Sequence, residues 1–441
     1  MSLFLTALIG CSSEPDRRVV VFGIDGLEWS MVDRLGLENF ERLRQDGVRG
    51  TVAATTPVMS PIIWTSIASG YPGEVHGIGG WTDGRAHAYD ASDVRVMRIW
   101  DVATLHERES VVIGWLMSYP ASPIEGSMLS ERFVWSFPMN KDPGDPLLGF
   151  SKDNHEDLVG LATPPGLEDK AAELLPSDAW LADHELAYQV AEYGAPFHPL
   201  LRDELHVRVF EELWAGSDAD LGMLYVNGID QVSHLYWPYS DPHTAKMLSL
   251  EPQLHAEQAA AEMAGSGMRR AVPFSDGPFT DEDLELGARF VPDYYRAVDD
   301  MLGRVLEVVD LETTTLLVCS DHGFKAGSKH PLIGGGHSRE AAVLIAGKDI
   351  EPGDLPEGTV LDVAPTLYAA LGLPPAQDWT GAPLVFEAAE DPVATWVLED
   401  RAQRAIEAST EANPQLMHQL EALGYVDGEG RPILGASRKT P

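Results

Sequence analysis

Apolar and polar positions divide this chain into alternating strand-like and helix-like stretches. From Val19 to Ile24 the run is continuously apolar and rich in β-branched residues, the pattern of a strand buried on both faces of a parallel sheet. It ends in Asp25-Gly26. Glu28 to Asp46 reads as helix with a break near Gly36, Gly47 closes it, and the chain returns as strand through Val48 to Thr55. Further buried-strand patterns run from Ser110 to Trp115, Asp220 to Gly228, Thr313 to Ser320 and Ala341 to Ala346. Helical stretches fall at Trp180 to Tyr193, Leu201 to Trp214, Asp281 to Val309 and Asp362 to Pro374. Strands alternating with helices argue for an α/β fold around a largely parallel sheet.

Two intervals break this rhythm. Gly79 to Ala219 is punctuated by Pro, Trp and Gly and reads as a cap or insertion over a cleft, and a second insertion runs from about Tyr236 to Thr280. The expected layout is a tail at 1–16, a domain at 17–390 with insertions near 79–219 and 236–280, and an acidic helical tail at 391–441. No internal repeat is visible.

One stretch stands out within the pattern. Thr55-Thr56-Pro57-Val58-Met59-Ser60-Pro61 leaves a strand, presents a hydroxyl at Ser60, and turns through Pro61 into the apolar run Ile62 to Gly70. Ser followed by Pro is ordinary helix-start chemistry, so the plainest expectation is that Ser60 caps a helix.

Composition narrows the function. The chain has 441 residues with 69 acidic against 31 basic side chains, a net charge of −38. Such a field repels nucleic acid and anionic lipid, so no nucleic-acid partner is expected. The two cysteines, Cys11 and Cys319, do not make a disulfide framework. Cys319 lies in an apolar run and is expected to be a buried thiol. Leu3 to Gly10 before Cys11 resembles a bacterial lipobox, although no Lys or Arg precedes it. That resemblance implies a lipid anchor at Cys11 and an extracytoplasmic location, in the periplasm or at the outer membrane. No other uncharged apolar run reaches the ~18 residues of a spanning helix.

The chemistry lies at strand ends. Three strands each terminate in or just before an Asp: Asp25, Asp230 and Asp321. His234 and His322 follow two of them, and His337 lies in a glycine-rich loop. Strand ends of one parallel sheet converge on a common edge, and carboxylate with imidazole is a donor set for zinc and related divalent ions.

In order and spacing, Ile24-Asp25-Gly26, Ser60 to Ser66 with Ser69-Gly70 and His76-Gly77-Ile78, Asp230 with His234, Ser320 to Phe324, Gly336-His337 and Asp362 to Thr366 resemble the alkaline phosphatase superfamily, in its type I phosphodiesterase and nucleotide pyrophosphatase-like branch. Ser118-Tyr119-Pro120 to Gly126 is similar to a segment of predicted phosphohydrolases in that superfamily. The resemblance implies a three-layer α/β/α sandwich and a small phosphorylated substrate. It also implies two divalent metals, zinc favoured. Asp25, Asp321, His322 and the Ser60 oxygen would hold one, and Asp230, His234 and His337 the other. Ser60 would be the nucleophile, forming a phospho-seryl intermediate.

The chain departs from that pattern in places. The Asn that helps bind phosphoryl oxygen in the pyrophosphatase branch has no clear equivalent between Pro61 and Gly70. Lys325, Lys329, Arg269 and Arg270 are the candidate replacements. Sulfatases need Pro two and Arg four residues after the nucleophile, whereas this chain has Ile62 and Trp64. A phosphomutase-like role and a metal-binding protein with a vestigial site are the alternatives. Trp115, Tyr236 and Trp237 in the insertions are expected to be core rather than ligand platform.

Overall fold

In a computed structural model the described residues are 18–83, 87–134, 159–177, 180, 184, 198–250, 281–326 and 335–398. Cys11, most of the expected helix at 180–193, Arg269, Arg270, Lys329 and the tail from 399 onward lie outside them.

The apolar run after Arg17 forms the middle of the molecule. Its strand, β1 (Arg18–Ile24), pairs in parallel with β6 (Leu221–Val226) and β7 (Thr314–Cys319). Beyond β6 lie β3 (Ser110–Ile113) and β4 (Gly126–Leu129), both parallel to it, and then the short antiparallel β5 (Ala162–Thr163). On the other side, β10 (Glu340–Gly347) runs antiparallel between β7 and β2 (Gly47–Ala53), and β11 (Gly353–Asp354) closes the edge. The nine-stranded order is β11-β2-β10-β7-β1-β6-β3-β4-β5. A separate pair, β8 (Gly323–Ala326) and β9 (Gly335–Ser338), stands beside it.

Because successive side chains of a strand point to opposite faces, β1 feeds two cores. Val20, Phe22 and Ile24 join one apolar cluster, and Val19 and Val21 join the other. The first cluster takes the buried faces of α1 (Trp29–Leu35), α2 (Glu38–Gln45), α4 (His198–Ala215), α5 (Gly228–Ser240) and α6 (Asp281–Val308). The second takes α3 (Ser60–Ser69) and α7 (Val363–Leu371). This is the three-layer α/β/α arrangement with a mostly parallel sheet. Among the described residues no helix is long and apolar enough to cross a membrane.

The sheet corrects three expectations. Within the interval 79–219, β3 falls on the strand expected at Ser110 to Trp115, whereas β4, in the part expected to be an insertion, is a further integral strand paired with β3, and α4 packs on β3 and β6. β3 is fully buried because it lies between β6 and β4 rather than over a cleft. The glycine-rich stretch around His337, expected as a loop, is a strand paired with β8, with Phe324 opposite His337. Residues 391–398, expected to begin a helical tail, instead form extended bridges, Val393 to Ala376 and Val397 to Val96. Cys319 is buried and free, as its apolar surroundings suggested. Trp115, Tyr236 and Trp237 are likewise buried in the two cores.

Candidate active site at the carboxyl edge of the sheet

Parallel strands bring their carboxyl ends to one edge, the usual ligand position in open α/β sheets. Asp25 follows β1, Asp321 and His322 follow β7, and Asp230 and His234 lie on α5, which starts two residues after β6. His337 reaches the same place from β9, and Ser60 from the start of α3. All seven side chains predicted from the sequence are thus brought together, and all but His337 are buried.

Their donor atoms fall into two groups. Asp230 Oδ1 lies 3.3 Å from His234 Nε2 and 3.3 Å from His337 Nε2, and the two imidazole nitrogens are 3.0 Å apart. On the other side, His322 Nε2 is 3.4 Å from both Asp25 Oδ1 and Asp321 Oδ2, and Ser60 Oγ is 3.4 Å from Asp25 Oδ1. His322 Nε2 is also 3.8 Å from Asp230 Oδ1, which links the groups. Four ligands held tetrahedrally at ~2.0–2.1 Å from zinc stand about 3.3 Å apart. The spacings match that edge length.

The electrostatics fit the same occupant. Neither Asp321 oxygen nor His322 Nε2 has a hydrogen-bond partner, although both residues are fully buried. Burial, then the neighbouring Asp25 and Asp230 charges, push the Asp321 carboxyl well above its usual range. Burial and Asp230 raise Asp25 to about 7. Burial would also raise Asp230, but His234 and His337 beside it hold it well below the usual range. His322 is lowered by burial, so its ring stays neutral. Three buried carboxylates sharing one space are costly without a compensating cation. The donor set, its geometry and its unmet atoms fit divalent metal.

Outer contacts fix the orientation of these side chains. His322 Nδ1 donates to the Gly323 carbonyl at 3.1 Å and His337 Nδ1 to the Val58 carbonyl at 3.2 Å, so each ring turns Nε2 inward. The indole N–H of Trp64 and the phenol of Tyr225 both donate to Asp25 Oδ2, at 2.9 and 2.6 Å, leaving Oδ1 toward Ser60 and His322. Ser320 Oγ accepts from Leu27 N at 3.0 Å and donates to the His322 carbonyl at 2.6 Å, tying the ends of β1 and β7 together. Sequence reasoning missed Trp64, Tyr225 and Ser320 in these roles. Trp64 had a signal, standing one helical turn after Ser60 and so on the same face. Tyr225 and Ser320 carried none.

Ser60 itself differs from its expected place. Met59 is the residue before the helix, and Ser60 is the first helical residue with Pro61 second; no side chain caps the end. The hydroxyl is not spent on capping and is turned to Asp25. His76 supports this helix from below: it accepts from Ile78 N at 3.1 Å through Nδ1, and its Nε2 faces the Ile62 carbonyl at 3.1 Å. Burial lowers its pKa to about 4, so it acts as a neutral strut. In the Ser118 to Gly126 segment, Ser118 and Tyr119 direct their N–H groups, and Ser118 its hydroxyl, onto buried Glu131. Of the expected phosphoryl donors, Lys325 is described and is exposed on β8.

A family model of type I phosphodiesterase / nucleotide pyrophosphatase matches residues 19–337, from β1 through His337. The chain belongs to that family. A curated relative, a 2,3-bisphosphoglycerate-independent phosphoglycerate mutase of Desulforudis audaxviator, is 36% identical over 94 residues, 20% of this chain and 18% of the relative. Among solved structures, wild-type alkaline phosphatase PafA is similar with a TM-score of 0.50 at 12% identity, covering 84% of this chain and 99% of that one. Phosphonoacetate hydrolase from Sinorhizobium meliloti is similar at 16% identity and a TM-score of 0.37, covering 71% of this chain and 57% of that one. A murine ectonucleotide pyrophosphatase / phosphodiesterase 5 is similar at 12% identity and a TM-score of 0.43, covering 81% and 95%. At these identities the structural likeness to PafA speaks for the shared fold.

Proposed function

We propose that this protein is a phosphoester hydrolase with two divalent metals, most simply zinc, and Ser60 as nucleophile. The observation that carries the reading is the pair of donor groups at tetrahedral spacing, with Ser60 Oγ 3.4 Å from Asp25 Oδ1 at their margin. Asp25, Asp321 and His322 would hold one ion with the Ser60 oxygen, and Asp230, His234 and His337 the other. When bound, such ions neutralise phosphoryl charge and lower the pKa of coordinated hydroxyls. The protein's own contribution is alignment. The start of α3 aims Ser60 and offers backbone N–H groups to an anion. Attack by the Ser60 oxygen on phosphorus displaces the alcohol and leaves a phospho-serine, which water then cleaves.

Membership of a phosphodiesterase and pyrophosphatase family supports ester or anhydride cleavage at phosphorus. The partial likeness to a phosphoglycerate mutase favours one alternative, transfer of the same phosphoryl group to a second alcohol. Metal analysis with turnover of para-nitrophenyl phosphate and its bis-ester tests the reading, and a glycerol acceptor added to the assay separates transfer from hydrolysis. Ser60→Ala should retain its metal and lose at least about a thousandfold in kcat, as removal of other nucleophiles does. Full hydrolytic rate in that variant would exclude Ser60 as nucleophile.

A further inference from the structure

The first turns of α4 hold a charged side chain that the proposed chemistry does not use. Arg202 is buried at 5% exposure, yet Nε and Nη2 of its guanidinium have no hydrogen-bond partner. Its charge is balanced by Asp203, with Nε 3.5 Å from Oδ1, too far for a good hydrogen bond. Asp203 is already engaged. Its oxygens accept from Asn227 N at 3.2 Å, Gly228 N at 2.9 Å and Tyr294 OH at 2.9 Å.

These contacts place the arginine beside the site. Gly228 begins α5, and Asp230 lies two residues further on, so Arg202 and a proposed metal ligand are tied through one carboxylate. The Arg202 charge also reaches the Tyr225 phenol, opposing the rise that burial and Asp25 impose on it, and that phenol bonds Asp25. Two more polar atoms nearby are unmet. Asn227 Oδ1 has no partner, nor has His206 Nε2, one helical turn beyond Arg202. His206 Nδ1 donates to the Tyr225 carbonyl at 2.8 Å, so its free nitrogen is an acceptor. Burial of unmet N–H groups on a charged guanidinium is costly, and a packed core would not retain them beside an unmet amide and imidazole.

We propose that Arg202 forms a subsite for an anionic group, a carboxylate or a second phosphate, carried by the same molecule whose phosphate occupies the Asp25–Asp230–Asp321 cluster. The inference rests on the phosphoester reading above for the molecule's other end. The planar guanidinium suits two-point recognition of such a group. Asp203 keeps the guanidinium charge-balanced when the subsite is empty, and Asn227 Oδ1 and His206 Nε2 accept from hydroxyls of the ligand or from water. Sequence reasoning looked for a phosphoryl donor downstream of Ser60 and in the loops, and so passed over this helix.

The test uses non-hydrolysable probes. The zinc-loaded protein is titrated calorimetrically with ω-carboxyalkylphosphonates of two to four carbons and with alkylphosphonates of matched length. At one or more lengths the carboxylate should tighten binding about tenfold to a hundredfold, and Arg202→Gln should abolish that gain. Arg202→Lys, which keeps charge but not the fork, should retain only part of it. No gain at any length in the native protein overturns the proposal, as does a gain undiminished in Arg202→Gln. Should that variant not fold, a gain undiminished in Arg202→Lys overturns it equally. Because the titration needs no turnover, an Arg202-dependent gain in a protein that cleaves no phosphoester would sink the hydrolase reading alone. Turnover without the gain would sink the subsite alone.

Discussion

Asp25 shows how a single residue is prepared for one task. Its Oδ2 is held by Trp64 and Tyr225 while Oδ1 is left to the cluster. The two rings meet edge to face at 5.0 Å, and Trp115 packs against Trp64 at 5.1 Å, so neither donor can turn away without breaking that packing. Gly23 belongs to the same device, because a Cβ there would come within 2.8 Å of the Trp64 ring. Outer-shell partners of metal ligands typically contribute roughly 10–100-fold to metal affinity. Tyr225→Phe, which removes only the hydroxyl, should therefore weaken zinc binding by about that factor in competition with a chelating dye. Circular dichroism should be unchanged. A zinc affinity equal to that of the native protein would show that Asp25 is oriented by its backbone alone.

At the scale of elements, what was legible in the sequence is what burial writes into it. The continuous apolar runs of β1, β6 and β7 marked strands covered on both faces, and the Asp after each marked the edge they share. The direction of β10 was not legible, since an antiparallel strand buried on both sides reads like a parallel one. Nor was β9, where Gly335, Gly336 and Ser338 have the composition of a loop and the strand exists because it pairs with β8. Arg202 was illegible for another reason: a helix of mixed polarity does not reveal which of its charges is buried.

The helix α3 gives this scale its test. All ten of its residues are buried, and it ends at Gly70 with φ at 78°, a left-handed conformation in which a Cβ would meet the Trp379 ring at 2.7 Å. Strain and overlap add at that position. Gly70→Ala should cost roughly 2–4 kcal/mol, read as a lower urea midpoint with an unchanged slope. A loss under about 0.5 kcal/mol would mean that the helix end and Trp379 move apart freely.

Over the whole molecule, three carboxylates buried together in one cluster repel one another when no cation is bound, and this fixes a pH dependence. Asp25 rises from an ordinary 3.8 to about 7 through burial and the Asp230 charge. At Asp25 the folded metal-free protein therefore binds more protons than the unfolded chain between about pH 4 and 7, and this group's contribution to stability falls as pH rises through that window. Each tenfold change in proton affinity is worth about 1.4 kcal/mol, so the loss from this one group is of order a few kcal/mol. His76, lowered to about 4, and His206, lowered to about 3, both by burial, act in the opposite sense and add stability as pH rises toward 6.5. They hide the carboxylate effect in a simple pH scan. Comparing two metal-free proteins removes them, because Asp25→Asn leaves both histidines in place while its neutral amide oxygen can still accept from Trp64 and Tyr225. With chelator present, Asp25→Asn should match the native protein near pH 4, become the more stable of the two as pH rises, and level off above pH 7 with an advantage of a few kcal/mol in urea unfolding. With zinc present the order should reverse, since the variant lacks one of the proposed ligands. An advantage for the native protein at pH 8 in chelator would mean that Asp25 is stabilised as a carboxylate by the protein alone, and that the cluster needs no cation to hold it together.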